Sequence, residues 1–138
     1  MFCLQIHSTQ VIMEMELNIL LWEGGLLMRG QTQAKKILVD AYNACRGLLD
    51  IRDAYLYGSY ARGDYHDASD IDILMTANAS DEDIRAKRKQ IASIVSDLSL
   101  DNDITVSLTV KPIEQFARYS SILPYYKNVL KEGIRYPL

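Results

Sequence analysis

The pair Gly58-Ser59, the ten residues Tyr60 to Ser69, and then Asp70-Ile71-Asp72 constrain this chain more than any other stretch. An aromatic and apolar run, Ala54-Tyr55-Leu56-Tyr57, leads into the glycine, and Ile71 to Met75 carries on from the acids. The order predicts strand, glycine turn, short helix, loop, strand. A glycine at the end of a strand allows positive φ and lets another group come close to the backbone. Ser59 adds a hydroxyl and an N–H where a helical turn begins, a cradle for phosphate oxygens. On the second strand Asp70 and Asp72 point to one face, Ile71 and Ile73 to the other. Two neighbouring carboxylates repel unless a cation sits between them, and hard oxygen ligands suit Mg²⁺. A phosphate cradle beside a divalent-metal site is equipment for moving a phosphoryl or nucleotidyl group.

These residues resemble the signature of the DNA polymerase β-type nucleotidyltransferases. Within that superfamily the wording Gly58-Ser59-Tyr60-Ala61-Arg62-Gly63-Asp64 and Ser69-Asp70-Ile71-Asp72 is similar to the minimal nucleotidyltransferases, the MNT proteins. The ending Pro124 to Ile134 looks like their C-terminal helix, and the resemblance runs from about Met28 to the end. It implies an α+β domain of two layers: a small mixed sheet with helices on one face and the active cleft on the other. It implies ATP as donor, two Mg²⁺ ions on Asp70 and Asp72, and phosphates held by Gly58 and Ser59. Arg62 would contact the triphosphate or else be a surface arginine. MNT proteins often act as antitoxins to HEPN-domain proteins, which implies a HEPN partner.

One position departs from the superfamily pattern. Catalytic members usually carry a third carboxylate on the third strand. Here that strand is expected over Asp103 to Val110, with Ile104, Val106, Leu108 and Val110 facing the core. Asp103, Thr105, Ser107 and Thr109 would share the face of Asp70 and Asp72. Ser107 stands where the acid is sought, and Asp103 lies at the strand's beginning. A serine is a poor Mg²⁺ ligand and no base at neutral pH.

The rest of the chain reads as a scaffold. Ala34, Ile37, Leu38, Ala41, Ala44, Cys45 and Leu48 form one stripe of a helix from Thr32 to Leu48. Ser80 caps a second helix, whose stripe runs Ile84, Lys87, Ile91, Ile94, Val95, Leu98. Arg85, Arg88 and Lys89 cluster on its outer side, either a solvated face or a surface for an acidic partner. Glu114, Phe116 and Tyr119 lie on a third helix, and Pro124 to Glu132 form the last, with Gly133 as its cap. His66 lies near the site, either a solvated loop histidine or a substrate contact, and Asp64 either accepts backbone N–H bonds in the loop, the favoured reading, or helps bind metal.

A net charge of −3 argues against a dedicated nucleic-acid binder. Cys3 and Cys45 form no metal-ligand spacing and no disulfide framework, so a reducing cytoplasm is expected. No apolar run approaches membrane-spanning length. Residues 1–27 differ from the remainder. Glu23-Gly24-Gly25 can be encoded by a G-rich stretch that Leu26-Leu27 would space from Met28, like a ribosome-binding site read as protein. We expect translation to start at Met28, with 28–138 as the domain; the alternative is a genuine N-terminal extension. Three functions compete: a protein adenylyltransferase acting on a HEPN partner, a binding module that neutralises the partner by contact, and a small-molecule nucleotidyltransferase of the aminoglycoside-modifying kind.

Overall fold

The computed structural model describes residues 26–137. Residues 1–25, with most of the expected leader, lie outside that range. The described chain runs α1 (Leu26–Cys45), β1 (Ile51–Tyr57), α2 (Ser59–Arg62), β2 (Ile71–Ala77), α3 (Asp81–Ala86) and α4 (Arg88–Asn102). It continues through β3 (Val106–Pro112), α5 (Ile113–Tyr119), α6 (Pro124–Glu132) and β4 (Ile134–Tyr136).

The strands form one mixed sheet in the order β3-β2-β1-β4. β1 pairs antiparallel with β2 and β4, and β2 pairs parallel with β3. A parallel pair needs a long crossover, which α3 and α4 supply. Ile71, Ile73, Leu74 and Met75 are fully buried. Each such side chain contributes about 1.5–3 kcal/mol of hydrophobic stabilisation, so β2 anchors the domain. The α1 stripe packs as its spacing predicts: Ala34, Ile37, Leu38, Ala41 and Cys45 bury against Leu56, Ile73 and Met75, while Ala44 is exposed. Cys45 is a core thiol, pushed up by burial to about 11.

The mixed sheet in an α+β architecture is as expected, and three details differ. α5 and α6 lie across the second face, where Phe116, Tyr126 and Val129 cover Tyr55 and Leu74; helices therefore touch both faces. The second helix breaks at Lys87 into α3 and α4. Ser80 does cap α3, in a reciprocal box with Asp83. The third difference is β4, which no sequence pattern announced. It is held at the sheet edge by Arg135 on Asp53, 2.6 Å away, and by Tyr136 edge-on to Tyr42.

β3 starts at Val106, not at Asp103. α4 continues to Asn102, and Asp103 is its left-handed cap at φ 51, with its N–H on the Ser99 carbonyl. Asp tolerates that conformation because its short polar side chain bonds locally. Asp103 therefore does not share the strand face with Asp72, and the expectation that it might stand in for the third acid on the strand is corrected.

Candidate active site

The two halves of the central motif meet because β1 and β2 are neighbours. Tyr57 and Asp72 face each other across the antiparallel ladder. The chain leaves β1 at Gly58 with φ 77 and ψ −154, a region almost confined to glycine. A Cβ there would lie 2.6 Å from Asp72 Oδ2. Glycine is thus required twice over, by the backbone and by the carboxylate pressed against it. One turn of helix follows: Arg62 N–H donates to the Gly58 carbonyl and Gly63 N–H to that of Ser59, and Gly63 at φ 87 ends it.

The loop that delivers Asp70 is tied internally. His66 N–H donates to Ser69 Oγ at 2.9 Å, Ser69 N–H returns to the His66 carbonyl, and Ala68 N–H donates to His66 Nδ1. His66 is thus an exposed structural residue of this loop. Tyr60 and Tyr65 stack almost parallel, 4.4 Å apart, and Gln31 on α1 donates to the Tyr60 carbonyl. These contacts fix the open cleft of about 350 Å³ that Asp70, His66 and Tyr60 share with Asp103, which enters from the α4 cap. A larger hollow of about 680 Å³ lies between Asn78–Asp81 and α5, at the other end of the sheet. It holds none of the motif, and the chemistry follows the motif.

Ser107 stands where the strand pattern put it. In the parallel pairing it is the partner of Asp72, so both side chains rise from the same face, one strand spacing apart. The third acid is absent at that register: among the described residues no group of three acids, histidines or cysteines could hold a metal.

The charges around the cleft lean one way. Burial first, and then the charge of Asp70, raise the Asp72 carboxyl above its ordinary value, with Arg62 opposing them. The Tyr57 hydroxyl is raised by burial, by its bond to Tyr125 and by Asp72. Burial, Tyr65, Asp67 and Asp70 raise that of Tyr60. Burial is the first cause in all three, and the nearby carboxylates Asp70, Asp67 and Asp72 add to it; that added negative charge is the part that favours a cation. Asp70 and Asp72 fit one divalent ion by donor chemistry. A second ion has fewer oxygens available.

Arg62 lies beside this field, but its guanidinium is engaged elsewhere. Nε donates to Asp64 at 3.2 Å and Nη1 to Glu132 at 3.1 Å. Asp64 is therefore the partner of Arg62, not the backbone acceptor expected of it. One pairing escaped the sequence reading, which expected Tyr125 only as part of a partner interface. Tyr57 and Tyr125 join their hydroxyls at 2.8 Å on the Asp72 face, their rings edge to face. Alternation along β1 places Tyr57 there. Only the docking of α6 brings in Tyr125 and Glu132.

A family model described as "Nucleotidyltransferase domain" matches residues 35–136, most of the chain. The chain belongs to the nucleotidyltransferase domain family. The matched span contains Gly58, Ser59, Asp70, Asp72 and Ser107 and ends with β4. A curated relative, the "Putative protein adenylyltransferase MJ0604" of Methanocaldococcus jannaschii, is 31% identical over 83 residues, covering 60% of this chain and 75% of the relative. Among solved structures, a crystal structure of a mutant MntA-HpeT toxin-antitoxin matches at TM-score 0.44 and 18% identity, covering 68% of this chain and 66% of that one. No described helix of this nucleotidyltransferase-family chain is long and apolar enough to cross a membrane.

Proposed function

We propose that this chain is an Mg²⁺-dependent protein adenylyltransferase that moves AMP from ATP to a tyrosine hydroxyl of a HEPN-domain partner, acting as its antitoxin. The observation that carries the reading is the packing of Asp72 against Gly58: the carboxylate sits where only a bare backbone leaves room for it. Asp72 presses on the turn itself, and Asp70, two residues earlier on the same side of the strand, lines the cleft beside it. Backbone N–H groups of the turn and the Ser59 hydroxyl hold the β- and γ-phosphates. Asp70 and Asp72 hold Mg²⁺, which would polarise the α-phosphate and stabilise departing pyrophosphate. Arg62, released from Glu132, turns to the triphosphate.

The acceptor oxygen bonds to the α-phosphorus as the bond to pyrophosphate breaks, and the acceptor's proton is lost to solvent. Ser107 offers no base for it. That favours a phenol, whose pKa of about 10 lies far below that of an aliphatic alcohol. A cleft this open also suits an acceptor oriented by a protein–protein interface. Exposed Tyr125 and Leu130 on α6 are available to that interface, whereas Tyr126 and Val129 are buried in the chain's own core.

The test is mass spectrometry of the partner after co-expression. AMP on a partner tyrosine, lost with Asp72→Asn, is the expected result. The register of Ser107 beside Asp72 favours a second reading, a weakened enzyme that neutralises its partner by contact. A tightly bound but unmodified partner would decide for that one.

A further inference from the structure

Among the described residues the outer edge of β3 is unpaired, since β3 ends their sheet. Which backbone groups it presents follows from the ladder. Ile71 N–H donates to the Thr105 carbonyl, so in this parallel pair alternate residues from Thr105 onward, Ser107 and Thr109, bond towards β2. Val106, Leu108 and Val110 then turn N–H and C=O outward. Val106 supports the assignment, because its N–H donates away from the sheet to Ser99 Oγ on α4. Leu108 and Val110 are left as a template for an added strand.

Beside that edge runs a groove of about 370 Å³ between β3 and the helices α3 and α4. Ile84 and Ile91 line it with Leu108 and Val110, and it carries Arg85, Arg88 and Lys111 against one acid, Asp81. On a chain of net charge −3 this is a local reversal of sign. Arg85 and Arg88 are exposed, and neither takes part in the ion pairs formed among the described residues.

We infer that this edge binds an extended acidic segment of a partner protein by strand addition. The segment's backbone pairs with Leu108 and Val110. Its apolar residues rest on Ile84 and Ile91, and its carboxylates meet Arg85, Arg88 and Lys111. A second copy of this chain is a poor occupant, because two β3 edges together would bring both sets of cations into one seam. The surface is separate from the Asp70–Asp72 cleft and does not depend on the reaction assigned to it.

The experiment titrates the full ¹⁵N-labelled chain with a short synthetic peptide alternating glutamate and valine, and with its lysine–valine twin. Saturable shifts of the Leu108 and Val110 amides with the glutamate peptide only are the expected result. Arg85→Glu with Arg88→Glu, at exposed positions, should weaken binding about tenfold or more, the size of a lost charge-assisted contact. Leu108→Pro should abolish it while leaving the bonds to β2 in place. The inference is overturned if the glutamate peptide fails to saturate, if the lysine twin binds equally, or if the double charge reversal leaves affinity unchanged. It is equally overturned if sedimentation shows the edge occupied by a second copy.

Discussion

Asp72 is held where its own charge is disfavoured, and that has a measurable sign. Burial and Asp70 raise its carboxyl above the unfolded-chain value. Below that unfolded value, about 3.9, it is protonated in both states and costs nothing. As pH rises through the folded pKa, the folded chain must ionise it against those forces, and stability falls. Asp72→Asn should therefore raise Tm at pH 7, with the gain fading towards about pH 3. Mg²⁺ should raise the Tm of the wild type and not of the variant, while nucleotide transfer drops by more than about 100-fold. Thermal scans across pH with and without Mg²⁺ check all three; a variant less stable at pH 7 would sink the assignment. Gly58→Ala should destabilise by about 1–3 kcal/mol through its backbone alone, and further by displacing Asp72. Urea denaturation measures it. At this scale the sequence was most legible, because Gly58, Asp70, Asp72 and Ser107 all lie on regular strands or at their ends, where pairing translates spacing into geometry. Asp103 was misread because alternation looks the same whether or not a helix has already ended.

At the scale of elements, α6 is joined to the site by the Tyr125 hydroxyl and by one guanidinium. Arg62, at the end of α2, is shared between Asp64 and Glu132. Glu132→Gln should leave Tm nearly unchanged, since exposed ion pairs contribute little. It should increase ATP affinity, because a carboxylate competing with the triphosphate is gone. Calorimetry with Mg²⁺ measures this, and an unchanged affinity would remove Arg62 from the phosphate site. The turn from α6 into β4 depends on Gly133, which is not left-handed; a Cβ there would collide with the Val129 carbonyl. Gly133→Ala should destabilise by about 1–3 kcal/mol, with the first loss of hydrogen-exchange protection at Ile134 to Tyr136. The glycine cap could be read from the sequence, but its reason could not. β4 itself has three residues, too few for alternation to show, and it is specified by Arg135 and Tyr136 meeting distant partners.

For the whole molecule, the two faces of the sheet divide the labour. One buries α1 and α4 over Leu56, Ile73 and Met75; the other carries α5 and α6, with Tyr125 of α6 reaching Tyr57 next to the acids. A mixed sheet covered by helices was legible because helical and strand periods alternate along the chain. The cover on the second face was not, because Phe116, Tyr126 and Val129 could equally have packed on the first. The proposed boundary at Met28 is testable here. A chain starting at Met28 retains nearly all of α1 and every buried stripe residue, so it should keep the Tm and transfer activity of the full chain. Aggregation of the shorter chain would make residues 1–27 part of the domain.

The position of β4 also sets when the protein can be complete. β1 carries the turn of the active cleft, yet one of its two neighbours comes from the far end of the chain; Asp53 and Arg135, which clamp them, are 82 residues apart. Until α6 and β4 have been made, β1 has only β2 of these two neighbours to pair with. The cleft is thus finished only once both have left the exit tunnel, and a nascent chain cut short anywhere before Glu132 lacks the residue that holds Arg62.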